Sequence, residues 1–157
     1  MNFFPTKKYT FSLIDTDEKS IERLKRRTYE SNSLTSKTTD KSFIGIINVN
    51  DFKVILSERG IGAFCVLDGK IRNQKGEVDI YINKPFKYLF SIILLFPVIA
   101  LIGISATEGI SLSILLLCLL QFAFIRFAFI GLFFYILSKR SVNKLADVLD
   151  TKSLSVA

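Results

Sequence analysis

The chain contains no histidine and no tryptophan. The first absence removes the commonest general base and metal ligand from its inventory. There are only two cysteines, Cys65 in an expected strand and Cys118 inside an apolar run. They would lie in different phases and cannot pair, which argues against a disulfide-built secreted fold and suits a reducing compartment. Glycine-rich phosphate loops, Ser-His-Asp sets, CxxC pairs and metal-spaced clusters are also missing. Enzymatic activity and a bound cofactor or metal are therefore not expected. The opening residues MNFFPTKKYT lack the continuous apolar core of a signal peptide, so the N-terminus is expected to be retained.

Charge is missing from one half of the chain. Between Tyr88 and Leu137 the only charged residues are Glu108 and Arg126, whereas residues 1–87 hold 16 Lys/Arg and 11 Asp/Glu. Two spans are read there, at about residues 88–106 and 110–137, each close to or above the ~20 residues needed to cross a hydrocarbon core. A buried helix in a soluble core is the competing reading, but no soluble remainder is large enough to enclose both. Pro97 can kink the first span. Lys84 and Lys87 precede it, Lys139, Arg140 and Lys144 follow the second, and the connection 105–109 has no Lys or Arg. The positive-inside rule then predicts an inner-membrane hairpin with both termini cytoplasmic.

Residues 1–86 read as a small cytoplasmic α+β domain. Residues 9–13 alternate apolar and polar, the mark of a half-buried strand. Asp15 with Glu18 suggests a capping box opening a helix to about Glu30. Residues 31–42 read as a flexible polar loop. Strands are expected at 43–47, 52–56, 64–67, 70–72 and 77–82, with Asp68-Gly69 as a two-residue hairpin turn and another turn at 73–76. The fold class predicted is thus α+β: an antiparallel β-rich domain of five or six strands with one helix, a transmembrane hairpin over 87–138, and a tail from 139 to 157 that is helical to 149. Val142, Leu145 and Val148/Leu149 recur at helical spacing, so this helix either packs back on the first domain or lies at the interface. About 80 residues bury little core, and docking on the membrane or a second subunit would help stabilise it.

The net charge is +7, with a surplus of five in residues 1–87. An excess of this size beside a membrane suits anionic lipid headgroups, and nothing supports nucleic-acid binding. Candidate contacts with headgroups or an anionic ligand are Lys25, Arg26, Arg27, Lys84, Lys87, Lys139 and Arg140; Tyr88 and Tyr135 are candidate interfacial anchors. Asp68, Glu77 and Asp79 fall near one expected hairpin but read as turn and solvated strand face rather than a metal site.

The sharpest feature is Arg126, inside FAFIRFAFIG. A helix from Gly109 to Ser138 would span about 45 Å against a core of ~30 Å. Either it leaves the membrane early, with Arg126 among inner headgroups and residues 127–137 along the interface, or it tilts and keeps Arg126 near mid-bilayer, where a charge costs at least ~2.5 kcal/mol. A deep Arg126 would take a backbone carbonyl, a lipid phosphate, Gln121, Glu108 or another chain as partner. Gln121 is roughly 140° away on an α-helix, so a direct pair is not expected. Arg126 and Gln121 are therefore the candidate intramembrane assembly residues.

Two functions follow. The leading expectation is a non-enzymatic two-pass membrane protein whose cytoplasmic domain binds an unidentified ligand or protein, with the bilayer and a homo-oligomer or other membrane protein as partners. The alternative is a membrane-perturbing effector that oligomerises through its spans when the domain senses a signal. That second architecture is similar to prokaryotic defence effectors joining two spans to a small β domain, although those place the spans first.

Overall fold

A computed structural model describes residues 3–109 and 111–156, except for the side chains of Thr107 and Glu108. The chain separates into two compact units, one running to Asn83 and resuming at Ile136, the other Lys84–Tyr135.

The first unit is a mixed α+β fold around a seven-stranded sheet of order β2-β3-β4-β5-β6-β1-β7. Its strands are β1 (Thr6–Leu13), β2 (Thr28–Glu30), β3 (Phe43–Ile47), β4 (Asp51–Leu56), β5 (Cys65–Arg72), β6 (Lys75–Ile82) and β7 (Thr151–Val156). All neighbours are antiparallel except β2 and β3, which run parallel. The period-two pattern puts Val78, Ile80 and Ile82 fully inside, while Glu77 and Asp79 stay exposed. Each such buried side chain stabilises the fold by roughly 1.5–3 kcal/mol. Ile21 and Leu24 of α1 (Asp17–Arg26) are buried in the same unit, as are Val142, Leu145 and Leu149 at the end of α4 (Leu132–Leu149). Of the two placements open for the Val142/Leu145/Leu149 face, these side chains lie buried within the sheet unit.

Several expectations are corrected. Helix α1 stops at Arg26, not Glu30: the Thr28 hydroxyl donates to the Leu24 carbonyl at 2.7 Å, and residues 28–30 pair with β3. A side-chain bond to a late carbonyl competes with continued helix, and strand pairing decides the outcome. No capping box forms. Thr16, not Asp15, is the N-cap and makes no side-chain cap bond; the Asp15 carboxylate is instead engaged by Arg23 at 2.6 Å, and Asp17 accepts from the Gln74 backbone N–H at 2.7 Å.

Asp68-Gly69 is not a turn. Strand β5 runs through it, and the hairpin reverses at Asn73-Gln74, whose φ angles are 53° and 58°, the left-handed pair that two-residue turns require. Gly69 serves packing instead: a Cβ there would lie 2.3 Å from the Phe52 ring across the strand pair. The tail also holds an unexpected strand, β7, on the outer side of β1.

Segment 31–42 has no regular structure but is tied down. Thr39 bonds Ser57 through both its hydroxyl and its N–H, Ser36 accepts from the Ala63 N–H, and Asn83 donates to the Leu34 carbonyl. These bonds constrain what the composition suggested would be a flexible loop.

The second unit contains α2 (Lys84–Glu108), α3 (Leu112–Ala123), a π-helical segment (Phe124–Gly131) and the first part of α4. Two helices, Lys84–Ala106 and Leu112–Leu149, are long and apolar enough to cross a membrane. The second runs unbroken for 38 residues, so the tail helix predicted after residue 139 is the end of one long helix rather than a separate element. Ile110, taken as the start of the second span, lies outside the described residues.

Candidate functional site

The π-helical segment coincides with FIRFAFIG, the phrase around Arg126. Widening to i→i+5 bonding is rare and usually confined to one turn. Arg126 is half-buried there, with its guanidinium carbon 5.7 Å from the centroid of the Phe127 ring. Phe129 stacks on Phe133 at 6.3 Å and meets the Phe90 ring edge-on at 6.2 Å. The segment is therefore seated by aromatic contacts, each of which adds about 0.5–1.5 kcal/mol beyond area burial.

Gln121 lies in α3 and lines an apolar cavity of about 510 Å³ with Phe96, Pro97, Leu120, Phe124 and Ile125. Arg126 is not part of its wall. At the same level the Cys118 thiol donates to the Pro97 carbonyl at 3.3 Å, a polar link between α2 and α3 beside the proline. The Glu108 side chain, one partner considered for Arg126, lies outside the described residues.

The flanking residues fall at the start of α2 and within α4. Lys84, Lys87 and Tyr88 occupy the first turns of α2, and Tyr88 is 71 % exposed. Tyr135 in α4 is 51 % exposed. Lys139 and Arg140 are exposed one turn further on, and Arg140 pairs with Glu58 at 3.0 Å.

The Lys25-Arg26-Arg27 run is divided by the fold. Arg26 and Arg27 line a cleft of about 500 Å³ with Arg23, Ser42, Lys144 and Asp147, while Lys25 lies outside it. Within that cleft charges are largely answered: Arg23 pairs with Asp15 and Asp150, and Arg26 with Glu22.

A larger cleft, about 580 Å³, lies on the polar face of β5, β6, β1 and β7. Registered pairing builds two rows across that face. One is Lys70, Glu77, Thr10 and Ser155; the next is Arg72, Lys75, Ser12 and Ser153. Thr10 bonds Ser155 at 2.9 Å and Ser12 bonds Ser153 at 2.6 Å. Glu77 is bound by Lys8 at 2.5 Å; the Lys8 bond and charge lower its pKa, and Lys70 adds to the effect.

None of these cleft residues was singled out from sequence as a ligand contact. The signal was present in the alternation Ser153-Leu154-Ser155-Val156, but only the pairing of β7 with β1 brings it beside Lys75. A further row holds Asp68 directly opposite Asp79, with Lys53 3.4 Å from Asp68. Among the described residues no three acidic or sulfur side chains form a metal-binding group. Cys65 is buried in the sheet, and burial pushes its thiol up to about 12.

No family model, curated protein or solved structure matches the chain.

Proposed function

We propose that this is a two-pass membrane protein whose β-rich domain binds a ligand or partner in the cytoplasm and is coupled to the bilayer through the second span. The observation that carries this reading is the unbroken helix Leu112–Leu149, whose early part belongs to the apolar unit and whose end is buried in the sheet unit. A ligand that shifts the sheet core would act on the same helix that crosses the membrane. The exposed side chains of the sheet unit suit recognition rather than catalysis.

A deep Arg126 is part of this reading. Taking Tyr135 as the interfacial residue, Arg126 lies roughly 14 Å further in at about 1.5 Å per residue, near the middle of a ~30 Å core. Charged residues at that depth are expensive and functional by default.

The π-helical segment that contains Arg126 favours a second reading, in which copies associate through the second span and perturb the bilayer, since π segments cluster at functional sites. Growth arrest with depolarisation on overexpression, lost in Arg126→Leu, would support that effector activity. Benign expression with unchanged membrane potential would remove it as a constitutive function.

Membrane fractions washed at alkaline pH test the leading reading. The chain should remain in the pellet. A single cysteine placed at Gly109 in a cysteine-free background should react with an impermeant maleimide from outside, and one at Lys25 should not. Release by the wash, or the opposite labelling pattern, would overturn it.

A further inference from the structure

We infer that the polar face of β5, β6, β1 and β7 is a binding site for a small phosphate-bearing anion, seated on Lys70, Arg72 and Lys75. Among the described residues these three cations enter no ion pair, yet they line one cleft of about 580 Å³. That volume is in the range of small-molecule sites. The carboxylate in the cleft, Glu77, is engaged by Lys8, which leaves the cleft with a cationic excess.

Neutral donors complete the set. Each hydroxyl pair, Thr10 with Ser155 and Ser12 with Ser153, uses one hydrogen between its members and keeps one to donate outward. A guanidinium fork, two ammonium groups and two hydroxyl donors match the several oxygens of a phosphate better than the two of a carboxylate.

The backbone beneath the cations is held in place. Arg72 and Lys75 flank the Asn73-Gln74 turn; the Gln74 N–H donates to Asp17, and its carbonyl accepts from the Leu13 N–H at 2.8 Å. The neighbouring row sets a size limit. Lys53, Asp68, Asp79 and Lys8 register across it, two carboxylates between two lysines, so the cationic excess is confined to the two rows of the cleft and suits a small anion rather than a long polyanion.

A phosphate-bearing ligand deepens the binding role proposed above and rests on it. The phosphate could belong to a free metabolite or to a lipid headgroup. Titration calorimetry on the full chain in detergent micelles, with inorganic pyrophosphate and with a short-chain phosphatidylinositol phosphate as probes, separates the sources. Tighter binding of the first identifies a free anion, and tighter binding of the second a headgroup.

In either case the K70Q/R72Q/K75Q variant should bind at least about tenfold more weakly, as expected for losing charge-assisted bonds, and Lys19→Gln with Lys37→Gln, two exposed lysines away from the cleft, should change affinity less than about twofold. An unchanged unfolding midpoint shows that the triple variant folds; should it not, Arg72→Gln alone carries the comparison, with a several-fold loss expected. No saturable binding of either probe, or full binding by the folded variant, would overturn the site. Release of the chain by an alkaline wash together with Lys70-dependent pyrophosphate binding would remove the membrane reading and leave the anion site standing.

Discussion

In the sheet unit Leu67, Ile71, Val78 and Ile80 are fully buried, and the charged residues between them face out; in the helical unit Leu112, Leu120, Phe124 and Phe127 are each about 70 % exposed. Both regions are rich in the same aliphatic and aromatic side chains, so composition alone does not separate them. What separates them is period. A two-residue alternation lets one side of a strand hide from water while the other meets it, whereas α2 and α3 are apolar all round and leave no face suited to water. Such a surface on a monomer is far larger than an ordinary exposed patch and calls for lipid or protein around it.

The contrast can be broken most directly at α4. Leu145→Ala should cost about 2–5 kcal/mol because the side chain is 1 % exposed in the sheet unit. Leu116→Ala, 57 % exposed in α3, should shift unfolding by no more than about 0.5 kcal/mol in detergent. Near-UV circular dichroism during thermal unfolding reads both. Equal effects would mean that the end of α4 is not part of the sheet core.

The cysteines offer a chemical version. Cys65 is buried with its thiol raised from 9.0 to about 12, so its thiolate fraction at neutral pH falls about a thousandfold. A maleimide should leave it unmodified in the folded protein and modify it on denaturation. Half-buried Cys118 in an apolar span should react with a lipophilic maleimide and resist a charged one. Rapid labelling of native Cys65 would show that the sheet core opens readily.

Glycines sharpen the comparison at smaller energies. Gly69→Val drives a side chain into the Phe52 ring and should destabilise by about 1–3 kcal/mol, with partial recovery on adding Phe52→Ala. At Gly103 in α2 an added Cβ meets nothing within 4 Å. Gly103→Ala should therefore be neutral or stabilising by up to about 1 kcal/mol, the helix-propensity difference. A silent Gly69→Val would argue for a turn at that position.

The smallest effect concerns the exposed Lys8–Glu77 pair. Lys8 lowers the Glu77 pKa below its ordinary 4.5, so any stabilisation is present above that pH and lost as pH falls through the lowered folded value. Glu77→Gln should flatten the pH dependence of the unfolding midpoint between about pH 5 and 3 and leave the midpoint at pH 7 nearly unchanged.

Much of the fold was legible because period and composition are local properties. The alternation in 77–82, the polar gap at 31–42 and the two apolar runs all identified themselves. Errors arose where a short motif has two uses. Asp68-Gly69 suits a hairpin turn, yet the facing Phe52 made a bare strand position valuable, and Asn73-Gln74 took the reversal. Residues 28–30 could have extended α1, but a waiting strand and the Thr28 hydroxyl ended it. The Arg126 site was visible as a charge in an apolar run. The Lys70/Arg72/Lys75 cleft was not: its cations share one hairpin, but the Thr10, Ser12, Ser153 and Ser155 hydroxyls that complete it come from strands far apart in sequence.

The sequence by itself determined which stretches seek water and which seek to avoid it: charge density, apolar run length and side-chain period are written residue by residue. Only the tertiary structure decided that the end of the second long helix joins the sheet core, that the tail adds a seventh strand, and that hydroxyls of the first and last strands complete the cleft beside Lys70, Arg72 and Lys75. Those outcomes depend on contacts between residues more than 60 positions apart, such as Ser12 with Ser153. No local propensity encodes them, since each strand edge or helix face could be satisfied by several partners until the whole core selects one.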